Sequence, residues 1–348
     1  MPRFGRPLAP LFLAALLSLT PMPSTPAAAD PAALAPWGAP WETTVRADHP
    51  DVGTLRAMPT GAALPPAEAA ARLARADVVL LGEKHDNPDH HRAQAWLLEA
   101  LVAAGRRPAV VMEMLDTAQA EALAVYLARP DADAAGLGAA VGWDDSGWPD
   151  WPLYQPIAAV ALAAGLPILP GNLPTAEVRR ISREGTEAVL GADGLAPRGL
   201  DTPLPDGLRD GLARAILVGH CDMLPEQAVP AMITAQRARD GEMARALLAA
   251  AARPDTDGAV LIAGNGHVRA DWGVPWTLAR LAPDLSVASV GILEVGAVTG
   301  DSARTEAVAP FDLAWLTPAL EDMDPCEKFA AQLERMRERH GDGTLAEE

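Results

Sequence analysis

Apolar residues along the chain fall into short unbroken runs separated by longer periodic stretches. Val78-Val79-Leu80-Leu81, Ala109-Val110-Val111-Met112, Pro167-Ile168-Leu169, Ala259 to Ala263 and Leu285 to Val295 are the runs. Continuous apolar runs of this length predict strands buried on both faces. Ala215 to Val218 reads as one more. The stretch after Asn87 predicts a helix, with Asn87 as N-cap, Pro88 in the first turn, and Leu97, Leu98, Leu101 and Val102 on the periodic face. His90 falls on the inward line Ala93, Leu97, Leu101, where burial against backbone is expected, and His91 is rotated away from it. Further helices are predicted over Thr117–Leu127, Leu153–Ala164, Pro174–Arg183, Pro225–Ala251 and Val274–Leu281. Strands alternating with helices give an α/β fold with a largely parallel central sheet and helices on both faces.

The ends read differently. Arg3 and Arg6, the apolar stretch Leu8–Leu19 and the small residues Ala27–Ala29 predict a secretory signal over 1–29. The stretch is shorter than the ~20 residues of a membrane span. Residues 30–75, rich in Pro, Ala and Gly, are expected to wrap the surface before one short helix. Residues 76–318 form the single α/β domain, and 319–348 a charged tail, helical to about Arg339. Gly and Pro between Asp193 and Leu208 mark a loop or an insertion.

Charge narrows the function. The 348 residues carry 28 basic and 46 acidic side chains, a formal net charge of −18. Nucleic acid is a poor partner for such a surface. Removal of the signal takes away two arginines and no acids, which gives −20, so the mature chain is expected to be an acidic exported protein. Two cysteines cannot build a disulfide scaffold, although Cys221 and Cys326 would pair in an oxidising compartment if close enough.

In parallel sheets, ligands collect at the carboxyl ends of the strands. Here those ends run into Gly82-Glu83-Lys84-His85, Glu113, Gly171-Asn172 and Gly264-Asn265-Gly266-His267, with Gly219-His220-Cys221 after the Ala215 run. Glu83 and His85, two apart, share a side if strand geometry persists. Carboxylate and imidazole together ligate metals, transfer protons or satisfy each other. Between Trp143 and Tyr154 lie three of nine tryptophans and one of two tyrosines. Such a loop either lines a flat aromatic site or pins itself down as a small hydrophobic cluster. Tyr154 is the sharper residue, because a phenolate can ligate haem iron. No complete dinucleotide fingerprint, G-x-S-x-G elbow or H-E-x-x-H motif is present, which disfavours nucleotide enzymes, common serine hydrolases and standard zincins.

Six segments in order, LLGEKHDNPDHHRAQAWLLEAL (80–101), VVMEM (110–114), WPDWPLYQPI (148–157), GHCDMLPE (219–226), QRARDGEMA (236–244) and LIAGNGHVRADWGVPW (261–276), resemble the ChaN-like haem-binding lipoprotein family. That family is related through G-E-x-H and G-x-x-H motifs to the TraB/Tiki and erythromycin-esterase groups. The resemblance covers about 75–295. It implies an α/β fold, haem as cofactor, a periplasmic location for the exported chain, and haem or iron handling at the bacterial envelope, with a possible envelope haem transporter as partner. It also implies a cofacial haem pair held by a ligand-linked homodimer, through a tyrosine with a histidine nearby.

Carried onto this chain, the iron ligand is Tyr154, chosen over Tyr126 because it lies inside a matching segment. Glu83, His85, Glu113, His220 and His267 join it as cofactor-binding candidates. Arg237, Arg239 or Arg269, with Arg239 preferred, would pair with propionates. No cysteine follows the signal where lipoprotein members are lipidated, so membrane anchorage is not implied.

A binding protein is favoured over an enzyme. The alternative is a metal-dependent or histidine-based hydrolase, in which Glu83 or His85 activates water and His267 binds a metal or steadies an oxyanion. A third reading leaves the polar constellation as a remnant that holds loops together.

Overall fold

A computed structural model of the chain describes residues 35–296 and 310–328, together with Ala330 and Arg335. The signal over 1–29 and most of the tail helix expected up to Arg339 lie outside the described residues.

The predicted apolar runs become strands β3 (Val78–Glu83), β4 (Ala109–Asp116), β5 (Ile168–Asn172), β6 (Ala259–Gly264) and β7 (Val287–Glu294). β8 (Leu313–Thr317) follows, and β1 (Leu55–Ala57) and β2 (Ala62–Leu64) precede them. The eight strands form one sheet in the order β2-β1-β8-β7-β3-β6-β4-β5. From β8 to β5 every neighbouring pair is parallel, whereas β1 pairs antiparallel with both β2 and β8. The sheet is therefore mostly parallel, with an antiparallel hairpin closing one edge.

Alternation along the strands sorts the core into two layers. Val79, Leu81, Val110, Met112, Val260 and Ile262 face helices α1 (Pro66–Leu73), α2 (Pro88–Ala103), α3 (Ala120–Leu127), α4 (Ala134–Ala140) and α5 (Trp151–Ala163). Val78, Leu80, Val111 and Leu261 face α9 (Val229–Ala251) and α10 (Val274–Leu281). Helix α6 (Thr175–Glu184) packs beside α9 through Val178, Ile181 and Ala238. Full burial of a leucine or valine contributes roughly 1.5–3 kcal/mol, and these strand residues are 0–2% exposed.

The same alternation sends the two strand-end glutamates in opposite directions. Glu83 continues the side of Val79 and Leu81, towards α2 and α5. Glu113 continues the side of Ala109 and Val111, towards α9. Between them runs β6, whose Gly264 is in register with Glu83.

Two expectations need correction. The Pro/Ala-rich segment does not merely wrap the surface: it supplies β1 and β2, too short to show a two-residue period. Ala215–Val218 is not a strand but the end of α8 (Asp206–Gly219), after the helix α7 (Thr186–Leu190) and two 3-10 turns. Leu208, Leu212 and Ile216 recur every four residues and pack with Trp272, so helical periodicity governs that run.

The end of α8 is tied by a Cys221–Cys326 disulfide to α11 (Pro325–Lys328), which spans 105 residues of sequence. Among the described residues, no helix is long and apolar enough to cross a membrane.

Candidate functional site

The end of β3 carries the first half of the site. Asn87 caps α2 by accepting from the amides of Asp89 and His90, and Pro88 starts the helix. This sharp entry turns the chain so that His85 folds back over the sheet edge. Glu83 Oε1 receives the Nδ1 proton of His85 at 2.6 Å and the hydroxyl of Tyr154 at 3.2 Å. Its Oε2 is buried without a hydrogen bond, 3.7 Å from His91 Nε2. His91 Nε2 donates to the His85 carbonyl at 3.0 Å, and its ring lies 4.2 Å from that of Tyr154.

His85 is the exposed member of this group, with 38% of its side chain open. One side of its ring meets Trp148 at 4.8 Å. The other lies over Gly264, where a Cβ would come within 3.0 Å of Cε1 and Nε2. Burial draws the imidazole pKa down, but the Glu83 hydrogen bond and charge outweigh it, so the net shift is upward.

Glu113 anchors the second half. Its Oε2 accepts from the Gly264 amide at 2.8 Å, and Oε1 lies 3.2 Å from His267 Nε2. His267 Nδ1 bonds Asp240 of α9 at 2.5 Å. Burial alone would lower the His267 pKa; Glu113 and Asp240 override it and raise it to about 10. Burial likewise works against ionised Glu113, and His267 overrides it, holding the carboxyl at about 2. His267 is thus an imidazolium clamped between two carboxylates, with both ring nitrogens occupied.

Beside these residues opens a cleft of about 600 Å³, walled by Glu113, Trp148, Asn172, Arg179, Arg239 and Gly147 among others. Arg239, half-buried on α9, is one of the residues lining it, and among the described residues no hydrogen bond or ion pair engages it. Burial lowers its pKa, against the pull of Glu113, Asp240 and Asp116. The other two arginines are committed: Arg237 donates to the carbonyls of Gly199 and Thr202, and Arg269 pairs with Asp271 while stacking on Trp272.

Glu83, His85, Glu113, His267, Tyr154 and Arg239 thus converge on one rim. His220 does not join them. It ends a helix rather than a strand, with Nδ1 against the Ile216 carbonyl beside the disulfide. Tyr154 is present but wholly buried, in the wall behind Glu83. Its phenol is pushed well above its ordinary pKa by burial, then by the Glu83 and Glu113 charges. Tyr126 is turned away and bonds the backbone and side chain of Asp133.

Of the loop tryptophans, Trp143 and Trp151 are core residues whose indoles donate to the carbonyls of Pro149 and Ala134. Only Trp148 faces the cleft.

His90 is structural, as expected. Nδ1 accepts from the Lys84 amide, and Nε2 meets Thr317 Oγ1 at 2.9 Å. His91 is not rotated away: α5 covers that flank of α2, so both histidines are fully buried. Sequence reasoning also left Asp240 and Arg179 unassigned. Asp240 lay inside the quoted QRARDGEMA segment, next to Arg239. Among the described residues, no group of three or more His, Cys, Asp or Glu side chains is arranged to hold a metal ion.

These residues fit haem in part. The cleft lies within the roughly 300–1,000 Å³ of small-molecule sites. Trp148 gives an aromatic wall, Arg239 a cation with no direct ion pair, and His85 an imidazole braced by a carboxylate, as metal-binding histidines commonly are.

The architecture has a counterpart among solved structures. A solved structure described as "Cofacial heme binding to ChaN of Campylobacter jejuni" has 20% sequence identity and a TM-score of 0.59, covering 75% of this chain and 95% of that one. The type III effector HopBA1 has 11% identity and a TM-score of 0.42, covering 78% and 99% of the two chains. An erythromycin esterase EreC mutant in its open conformation has 13% identity and 0.39, covering 80% and 87%. No curated protein sequence matches. Residues 69–278 match the family described as haem-binding uptake, Tiki superfamily, ChaN, and the chain belongs to that family.

Proposed function

We propose that this chain binds haem at the carboxyl edge of its sheet, as an exported protein that handles haem or iron at the bacterial envelope. The observation that carries the reading is local. In a chain of a haem-binding family, a partly exposed imidazole anchored by a buried carboxylate stands beside a cleft lined by an arginine that makes no direct ion pair among the described residues. Haem would bring an iron needing a protein ligand and two propionates needing cations. His85 and Glu83 form the iron-facing side. Arg239, with exposed Arg179 in the same cleft, would hold a propionate, and Trp148 would offer an aromatic wall to the macrocycle.

The solved ChaN relative binds haem cofacially. On that likeness we propose that two copies of this chain close over a haem pair, and that an envelope haem transporter is the downstream partner. The apolar segment at 8–19 supports export as a soluble periplasmic protein.

Haemin titration of the purified chain, read by visible absorption, tests the binding. A saturable Soret change is expected. Arg239→Ala should weaken haemin binding about tenfold, the order of one charge-assisted hydrogen bond, and leave binding of haemin dimethyl ester unchanged. Absence of a saturable change with the wild-type chain defeats the proposal.

A further inference from the structure

We infer that His85, not a tyrosine, is the protein ligand of the haem iron in this chain, with Glu83 as its positioning residue. The inference rests on the haem-binding reading above and deepens it.

The choice follows from which donor atoms are presented. The chain has two tyrosines. Tyr154 is 0% exposed, its hydroxyl spent on Glu83, with His91 and Trp143 packed on its ring. To reach an iron it would have to leave the core and abandon a buried carboxylate. Tyr126 is 7% exposed and closes the Asp133 turn that caps α4.

The histidines separate as cleanly. His90 has both ring nitrogens bonded, and His267 has both on carboxylates. His91 is buried with Nε2 on a carbonyl. His220 lies at the end of α8, and His49 sits in the segment bonded along the end of β8, at the far side of the sheet from β4 and β5, with Nδ1 accepting from the Asp51 amide. His85 alone among these packs against Trp148 of the cleft, with a side chain 38% open and an Nε2 that makes no hydrogen bond to the described protein. Its Nδ1–H is held by Glu83, which fixes the tautomer and leaves the Nε2 lone pair without a protein hydrogen bond, over Gly264 at the sheet edge. Gly264 supplies the space for the ring.

Haemin-loaded full-length protein tests this by absorption and electron paramagnetic resonance, neither of which depends on turnover. The wild type should show an imidazole-ligated ferric haem without a phenolate-to-iron charge-transfer band. His85→Ala should lose that signature and at least tenfold in affinity, and added imidazole should restore the spectrum. Tyr154→Phe should keep the imidazole signature. Glu83→Gln should retain haem with a raised reduction potential, because a neutral amide donates less electron density through the imidazole. That result covers the case in which His85→Ala does not fold.

A phenolate band in the wild type that survives His85→Ala and disappears in Tyr154→Phe or Tyr126→Phe would overturn the inference and leave haem binding intact. A wild type with no saturable Soret change would defeat both.

Discussion

At the scale of single residues, the site depends on which carboxylate meets which imidazole. Glu113, Asp240 and His267 form a buried charge triad whose members would each be costly alone; removing one partner of such a pair costs roughly 3–5 kcal/mol. His267 titrates near 10 when folded, above its ordinary 6.5. Its charge therefore stabilises the fold fully below about pH 6.5, and that contribution is lost as pH rises through 10. Glu113 has the opposite sign: held near 2 rather than 4.5, it stabilises above pH 4.5 and loses the contribution as pH falls towards 2. Urea unfolding at a series of pH values should show stability declining between pH 7 and 10 in the wild type, with the slope reduced in His267→Gln. Equal slopes would mean that the imidazolium is not formed.

Gly264 is the second residue with a decisive role. Its missing Cβ makes room for His85, and Gly264→Ala places a methyl within 3.0 Å of the ring. The variant should fold and bind haemin several-fold more weakly, as read by the same Soret titration. Unchanged affinity would show that the ring position is unimportant.

At the scale of elements, legibility followed signal length. Strands β3, β4, β6 and β7 are long apolar runs, and α2 announces itself through Asn87 and Pro88, so these were readable from the sequence. The three-residue strands β1 and β2 carry no period. The Ala215–Val218 run is apolar by composition but helical by spacing, and that ambiguity misplaced His220.

The rim residues Glu83, His85, Glu113 and His267 were legible because parallel strands put their ends in one place. Their pairing was not, since it depends on which face of the sheet each strand-end residue continues. His91 was missed for a related reason: a helix between a sheet and another helix has two buried flanks, which one inward line does not describe.

The disulfide belongs to this scale too. It ties α8 to α11 rather than to the rim. Reduction, or a Cys221→Ser/Cys326→Ser double variant, should lower stability by about 2–5 kcal/mol and leave haemin affinity unaltered. Calorimetry and titration on the same samples read both.

At the scale of the whole molecule, the fold is a sheet whose two helical layers each deliver one glutamate–histidine pair to a common edge. The α2/α5 layer supports Glu83 with His85, the pair whose histidine is partly exposed. The α9 layer supports the buried one, Glu113 with His267, and carries Arg239 to the cleft. Division of labour between the layers explains why one histidine is presented outward while the other locks the edge.

The account stands or falls on where iron sits. Anomalous diffraction at the iron edge from crystals of the haemin-loaded protein locates it directly. An iron peak is expected at coordination distance from His85 Nε2, beside Trp148 and with a propionate at Arg239. An iron peak away from the carboxyl edge of the sheet, with His85 and Arg239 both untouched, would contradict it.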